Sequence, residues 1–324
     1  MISIKSIKSY IPSDFFEVRT LVKDRILNEN QYEKIGVKKV PVCKENEFPT
    51  DLMINAGSLL LAEIPEAKYE IGLVIAATVS PPEVAMRSGA ARVIHELGLE
   101  NAYGFDVFQG CNALSIQLDI AKSHLISHPD TKYVLLVAGD RWREFANNRY
   151  AAGLVFGDAG GAALVCRNEE GKSHLIYGET RTDASFHALA GLKFGTKYGF
   201  DPKTVYSVTD KHMLMNSYLP KNLSEISLLF DRILQKNGIS KQQISFVHIP
   251  SGRLDLSHKI LKHLDLTEKR SNLRLVIDHG DLGCVGPYHD LGVLLKESKR
   301  HDYGVFLTQG TGMFWSGWLI KISY

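Results

Sequence analysis

Apolar and polar positions along the chain follow two alternating patterns. Continuous apolar, β-favouring runs occur at 69–78 (YEIGLVIAAT), 102–108 (AYGFDVF), 132–140 (KYVLLVAGD) and 160–167 (GGAALVCR). Between them, 88–98 (SGAARVIHELG) and 112–126 (NALSIQLDIAKSHLI) repeat apolar residues at helical spacing, as at Leu114, Leu118, Ala121 and Leu125. This alternation predicts βαβ units around a largely parallel sheet buried on both faces. The C-terminal part repeats the plan. It predicts a helix over 222–237, strands at 244–251 (ISFVHIPS), 273–280 (LRLVIDHG), 303–312 (YGVFLTQGTG) and 314–322 (FWSGWLIKI), and helices at about 253–264 and 287–299.

Two details suggest an internal duplication. The run 132–140 with FGDAGGAALVCR (156–167), and the run 303–312 with 314–322, each form a glycine-punctuated hairpin that closes a half. The expected organisation is an N-terminal half, 1–167, a connecting or inserted region, 168–221, and a C-terminal half, 222–324. Halves related by a pseudo-two-fold axis bring residues near 111, 248 and 281 into one crevice. A connection as long as 168–221 suits a lid or binding wall.

Composition narrows the partners. At 324 residues and 44% hydrophobic content, the chain exceeds the length, about 250–300 residues, at which single cores split. A net charge of +2, with Lys and Arg scattered, gives no footprint for nucleic acid. The four cysteines, at 43, 111, 166 and 284, show neither a CxxC pair nor metal-ligand spacing. They suggest a reducing compartment, and no metal or cofactor is expected. The start, MISIKSIKSYIPSDFFEV, alternates like a strand and lacks an apolar signal core. No apolar run reaches the roughly 20 residues of a membrane helix, so a soluble cytoplasmic protein without membrane contact is expected.

The candidate chemistry begins at FQGCNAL, where a strand gives way to a helix and Cys111 follows a glycine. Unpaired N–H groups and the positive dipole end of a helix favour a thiolate and lower a cysteine's pKa. The Cys111 amide can also contribute to an oxyanion hole, with QGTGMF (309–314) supplying a second donor. Cys43, Cys166 and Cys284 read as buried packing residues. His248, at the end of a strand, suits an acid, base or hydrogen-bond donor, although a lone histidine there is more often structural. Asp278, His279 and Asp281 in DHGDLGCVG (278–286) form an ordinary glycine-rich turn when taken alone. The three clusters gain force together.

In that order, FDVFQGCNAL, FGDAGGAALV, a histidine after a C-terminal strand, HGD and the GTGMFWSG tail resemble the ketoacyl-acyl-carrier-protein synthase III family of the thiolase superfamily. The resemblance spans nearly the whole chain. It implies the duplicated thiolase fold, five-layered αβαβα, in a homodimer. It also implies a catalytic set of Cys111, His248 and Asp281, with an oxyanion hole from the Cys111 amide and the tail at Gly310, Thr311 and Gly312.

Departures from the family pattern sharpen the reaction. Asp281 stands where the family has the Asn of an HGN turn. An ionised carboxylate accepts rather than donates and opposes an enolate, which disfavours decarboxylative condensation. Beside His248 it would instead orient the imidazole, as in acyl transfer through a Cys-His-Asp arrangement. The expected activity is therefore a synthase III-like acyltransferase. It takes an acyl group from a coenzyme A or carrier-protein thioester onto Cys111 and passes it to an acceptor. The alternatives are Claisen condensation with a malonyl thioester, with Asp281 protonated as a donor, and a non-catalytic partner subunit of the same fold. A nucleotide-dependent oxidoreductase lacks its GxGxxG spacing.

By the same resemblance Lys34 takes the place of an arginine that grips coenzyme A, and Tyr32 offers a ring for its base. Ser251 replaces an Asn that contacts the pantetheine arm, and Arg253 keeps an arginine at the tunnel mouth. With the family's tryptophan missing, a carrier-protein donor gains over coenzyme A. His187 lies in the connecting region that forms part of the acyl pocket, and Met213, Met215 and Phe194 are candidates for its wall.

Overall fold

The computed structural model describes residues 1–167, 173–201, 203–250, 252–311 and 313–323. Nine strands form one sheet: β1 (Ile2–Tyr10), β2 (Ile71–Ala77), β3 (Tyr103–Val107), β4 (Tyr133–Asp140), β5 (Ala159–Arg167), β6 (Ser173–Thr182), β7 (Ile244–His248), β8 (Tyr303–Gly310) and β9 (Phe314–Ile322). Their order is β7-β8-β9-β6-β1-β5-β4-β2-β3. The main helices are α1 (Pro49–Glu63), α2 (Gly89–Leu97), α3 (Ala113–Ser127), α4 (Leu219–Asn237), α5 (Leu254–Leu264) and α6 (Gly286–Glu297).

Strand pairing repeats across the two halves. From the β3 edge inward, β3·β2 and β2·β4 are parallel, and β4·β5 and β5·β1 are antiparallel. From the other edge, β7·β8 is parallel, and β8·β9 and β9·β6 are antiparallel. A single parallel bridge, Val247 to Ser271, occupies the place of a fifth strand in the second half. The halves join where β1 meets β6, at Ser3 opposite His174 and Ile4 opposite Ser173.

The sheet is mixed rather than largely parallel, because each half closes through hairpins and not only through helical crossovers. β6 lies within the stretch 168–221 that the sequence assigns to a connection. The expected strand at 273–280 is instead one helical turn, Leu273–Val276. Leu273 and Val276 are buried three residues apart, a helical rather than an alternating spacing.

Side-chain alternation along the strands sets the layers. Leu73, Ile75, Val134 and Leu136 face a central core with Leu114, Leu118 and Leu125 of α3 and Leu291, Leu294 and Leu295 of α6. Val74, Ala76, Leu135 and Val137 face the opposite way, under Met53, Ala56 and Leu60 of α1 and Val93 of α2. In the second half Phe306, Trp318 and Ile320 face the central core. Val305, Leu307 and Leu319 pack under Leu229, Phe230 and Ile233 of α4 and Ile260 and Leu264 of α5. The sequence of layers is helix, half-sheet, helix, half-sheet, helix. At about 1.5–3 kcal/mol for each buried aliphatic or aromatic side chain, the shared core holds α3 and α6 between the two halves of the sheet. Their N-termini bring the chemistry together. Among the described residues no helix is long and apolar enough to cross a membrane.

Candidate active site

Cys111 occupies a 3₁₀ turn, Gly110–Asn112, that leads directly into α3. Gly110 has φ +58°, and a Cβ there would stand 2.5 Å from Thr311 Oγ1 and 2.7 Å from Thr311 N. Only glycine combines that left-handed backbone with so close an approach of the 310–311 tail. Asn112, fully buried, pins the turn to the other half: it donates to Ser316 Oγ (2.9 Å) and accepts from Thr308 Oγ1 (2.5 Å).

The HGD turn is clamped from the first half. Asp281 N donates to the Val155 carbonyl and Gly157 N to the Asp281 carbonyl, both at 2.9 Å. Asp158 then accepts from Cys43 N (3.0 Å), Trp142 N (2.7 Å) and Arg149 (2.5 Å). The FGD segment is thus a fastener for the site. Asp140, at the end of β4, accepts from Val79 N, Ser80 N and Cys284 N (2.8, 2.7 and 2.7 Å) and so ties α6's approach to the first half.

These elements bound one cavity of about 370 Å³. Cys111, His248, His279, Asp281 and Asp290 all line it, with Thr308 and Thr311 beside the cysteine turn. Its apolar wall includes Trp142, Phe156, Tyr206, Tyr218 and Leu214. The Trp142 and Phe156 rings stack at 4.2 Å, with Tyr206 edge-on to both.

The sequence assigns His248 a carboxylate partner, and the structure supplies a different one. His248 Nδ1 donates to the Leu307 carbonyl (2.8 Å), and its Nε2 lies 3.5 Å from Asp290 Oδ2. No hydrogen bond or ion pair joins Asp281 to His248 among the described residues; Asp281 Oδ1 accepts from Gly283 N at 2.8 Å. Asp290 also accepts from His279 Nε2 (2.9 Å) and Asn272 Nδ2 (2.6 Å). The legible signal for Asp290 was its place on the apolar stripe of a helix, beside Tyr288, Leu291 and Leu294. An unpaired carboxylate does not survive there.

Electrostatics reverse the expectation for the cysteine. Burial pushes the Cys111 thiol well above its ordinary value, and the charges of Asp281 and Asp140 push it further. Helix-end donors do not outweigh two nearby carboxylates, so the thiol needs a base to become a nucleophile. Burial also raises the Asp281 carboxyl to about 7, with Asp140 adding to the effect and the Gly283 N–H and His279 opposing it. Asp290 goes the other way: His279 and His248 hold it well below the usual carboxylate range against its burial. His279 is raised, with Asp290 overcoming the effect of burial.

The remaining candidates separate. Gly310 is buried against the cysteine turn. Arg253 lines the cavity, with its guanidinium bonded to Asp255 (2.6 and 2.8 Å) and the Gly153 carbonyl (3.2 Å). Met215 lines the cavity, Met213 packs against the outer core, and Phe194 is exposed. Tyr32 and Lys34 lie on the helix Glu29–Ile35, where Tyr32 packs under Arg19 and Lys34 is exposed. His187 is exposed beyond the turn Ala184–Phe186. Tyr32, Lys34 and His187 are not among the residues lining the cavity. Ser251 and Gly312 lie outside the described residues. His279, His289 and Asp290 place ligand-type atoms within 4.8 Å of one another.

A duplicated five-layered αβαβα chain with a cysteine turn facing a histidine strand end across the halves has the thiolase fold. The acyltransferase ChlB3 superposes with TM-score 0.87 at 17% identity over 99% of this chain and 98% of its own. A family model described as 3-oxoacyl-[acyl-carrier-protein (ACP)] synthase III matches residues 105–184. The chain is 26% identical to the β-ketoacyl-[acyl-carrier-protein] synthase III of Campylobacter fetus, covering 98% of each. It is 28% identical to that of Aliarcobacter butzleri, covering 99% of this chain and 98% of the relative. The chain is thus similar over nearly its whole length to 3-oxoacyl-acyl-carrier-protein synthase III proteins, and the family model matches the segment that carries Cys111.

Proposed function

We propose that the protein is a synthase III-type acyltransferase, which loads an acyl group from a carrier-protein or coenzyme A thioester onto Cys111 and passes it to an acceptor. The observation that carries this reading is Asp281, a carboxyl lining the cavity of Cys111 and His248 in a turn where the family places an amide. His248 Nε2 takes the Cys111 proton, and the thiolate attacks the thioester carbonyl. The departing thiol then takes that proton back. An acceptor hydroxyl, amine or thiol next gives its proton to Nε2, attacks the acyl-cysteine, and Cys111 leaves with the proton restored. Amides of the cysteine turn and of the tail around Thr311 support the oxyanion at each addition. The acyl group rests against the aromatic wall of Trp142, Phe156 and Tyr206. The route belongs to fatty-acid, polyketide or other natural-product biosynthesis.

Condensation stands as the second reading, because a carboxyl that titrates near 7 is partly protonated at neutral pH and then donates as an amide does. Products decide between them. Wild type and Asp281→Asn are each given an acyl donor with a panel of acceptors or with a malonyl thioester, and products are read by mass. Acyl transfer requires acylated acceptor, and no β-keto product, from wild type. Carbon dioxide release and a β-keto product, rising in Asp281→Asn, would overturn transfer in favour of condensation.

A homodimer belongs to the same reading. β3 forms the sheet edge and exposes Tyr103 and Phe105, with Phe108 just beyond it. An exposed aromatic edge of this kind is a ready surface for a second copy.

A further inference from the structure

We infer that Asp290 is the positioning residue for His248: a buried carboxylate, held between two histidines, that receives the imidazolium formed when His248 takes a proton. Its role in turnover rests on the acyl-transfer reading above.

Four observations support it. Asp290 is 1% exposed on the apolar face of α6, where a carboxylate without partners is costly. Both of its oxygens are engaged, Oδ1 by His279 Nε2 (2.9 Å) and Oδ2 by Asn272 Nδ2 (2.6 Å). The second observation concerns His248: its Nδ1 faces a carbonyl, which only accepts, so that nitrogen carries hydrogen and Nε2 is the one that exchanges protons. Asp290 Oδ2 lies 3.5 Å from this Nε2.

Third, Asn272 links the carboxylate to the backbone next to His248, donating to Ile249 O (3.1 Å) and accepting from Ile249 N (2.9 Å). Movement of Asp290 therefore moves the end of β7. Fourth, both ring nitrogens of His279 face oxygens, Gly280 O at 2.7 Å and Asp290 Oδ1 at 2.9 Å, so His279 is doubly protonated and holds Asp290 as an anion. Cys111 and Asp281 line the same cavity, and the Phe306 ring covers His248 at 4.8 Å. The proton shared by Cys111 and His248 therefore moves in a field set by Asp290 and His279 on one side and Asp281 on the other.

The test reads Cys111 directly, without any acyl donor. The other three cysteines are buried, so intact mass after iodoacetamide treatment reports thiolate formation at Cys111. Alkylation rate is followed against pH for wild type, Asp290→Asn and His279→Gln. Removing the carboxylate should lower the plateau rate about tenfold or more and move the acidic limb down by about one pH unit. Removing the cation beside it should move the limb the opposite way, and Asp290→Glu should restore part of the loss. A folded Asp290→Asn with the wild-type rate and limb would overturn the inference. If Asp290→Asn does not fold, an unmoved limb in His279→Gln would overturn it instead. Failure of the acyl-transfer reading appears separately, as absence of an acyl-enzyme in wild type.

Discussion

Replacing Asp281 by asparagine should stabilise the protein, and the gain should grow with pH. In the folded chain the carboxyl is raised from its ordinary 3.8 to about 7, chiefly by burial and further by Asp140. In the unfolded chain it ionises at its ordinary value. Between those two values the folded state holds a proton that the unfolded state has lost, so stability falls as pH rises through the window. A gap of about three pH units at ~1.4 kcal/mol per unit puts the cost near ~4 kcal/mol, fully developed above pH ~8. Asparagine keeps the size and an oxygen for the Gly283 N–H, which Asp281 now accepts at 2.8 Å. Urea unfolding of both proteins from pH ~4 to ~8.5 measures the difference. The two curves should meet at the acid end and separate in favour of the variant above neutrality. A difference that stays flat with pH, or that favours wild type at alkaline pH, would refute the placement of Asp281 as a buried, partly protonated acid.

Other substitutions probe the frame around the site. Gly110→Ala should cost about 1–2 kcal/mol for the left-handed backbone alone, with more from the clash against Thr311. Thermal unfolding together with slower Cys111 alkylation checks it, and an unchanged alkylation rate would argue against the tight turn. Asp158→Asn leaves Arg149 buried without its counter-charge, now 2.5 Å away, and should cost about 3–5 kcal/mol, measured by denaturant midpoint.

Much of the architecture was legible because apolar runs and helical stripes are local. β2, β4, β5, β8 and β9 fall where the runs predict them, as do α2 through α6. The run at 273–280 misled because a short buried segment carries no decisive period. Leu273 and Val276 bury equally well from one helical turn. β3 was expected to be buried, yet it is an exposed edge, since nothing in YGFDV records which strand lies outermost. Cys111 stood out by its glycine and its strand-to-helix position, whereas His248 and Asp281 joined it through the family resemblance; all three line one cavity. The cysteine's raised pKa was not legible, because it comes first from burial in the folded core and then from the charges of Asp281 and Asp140, which only the fold brings near. Asp290 sits inside GPYHDLGVL as one acidic residue on a helix. Its importance comes from strands and turns that meet it only in the folded chain.

The most direct test of the account is the intact mass of the protein after exposure to carrier-protein and coenzyme A acyl thioesters, with Cys111→Ala beside wild type. The account predicts one acyl group on wild type, lost again when a competent acceptor is added, and none on Cys111→Ala. No Cys111-dependent mass gain with any donor would contradict it.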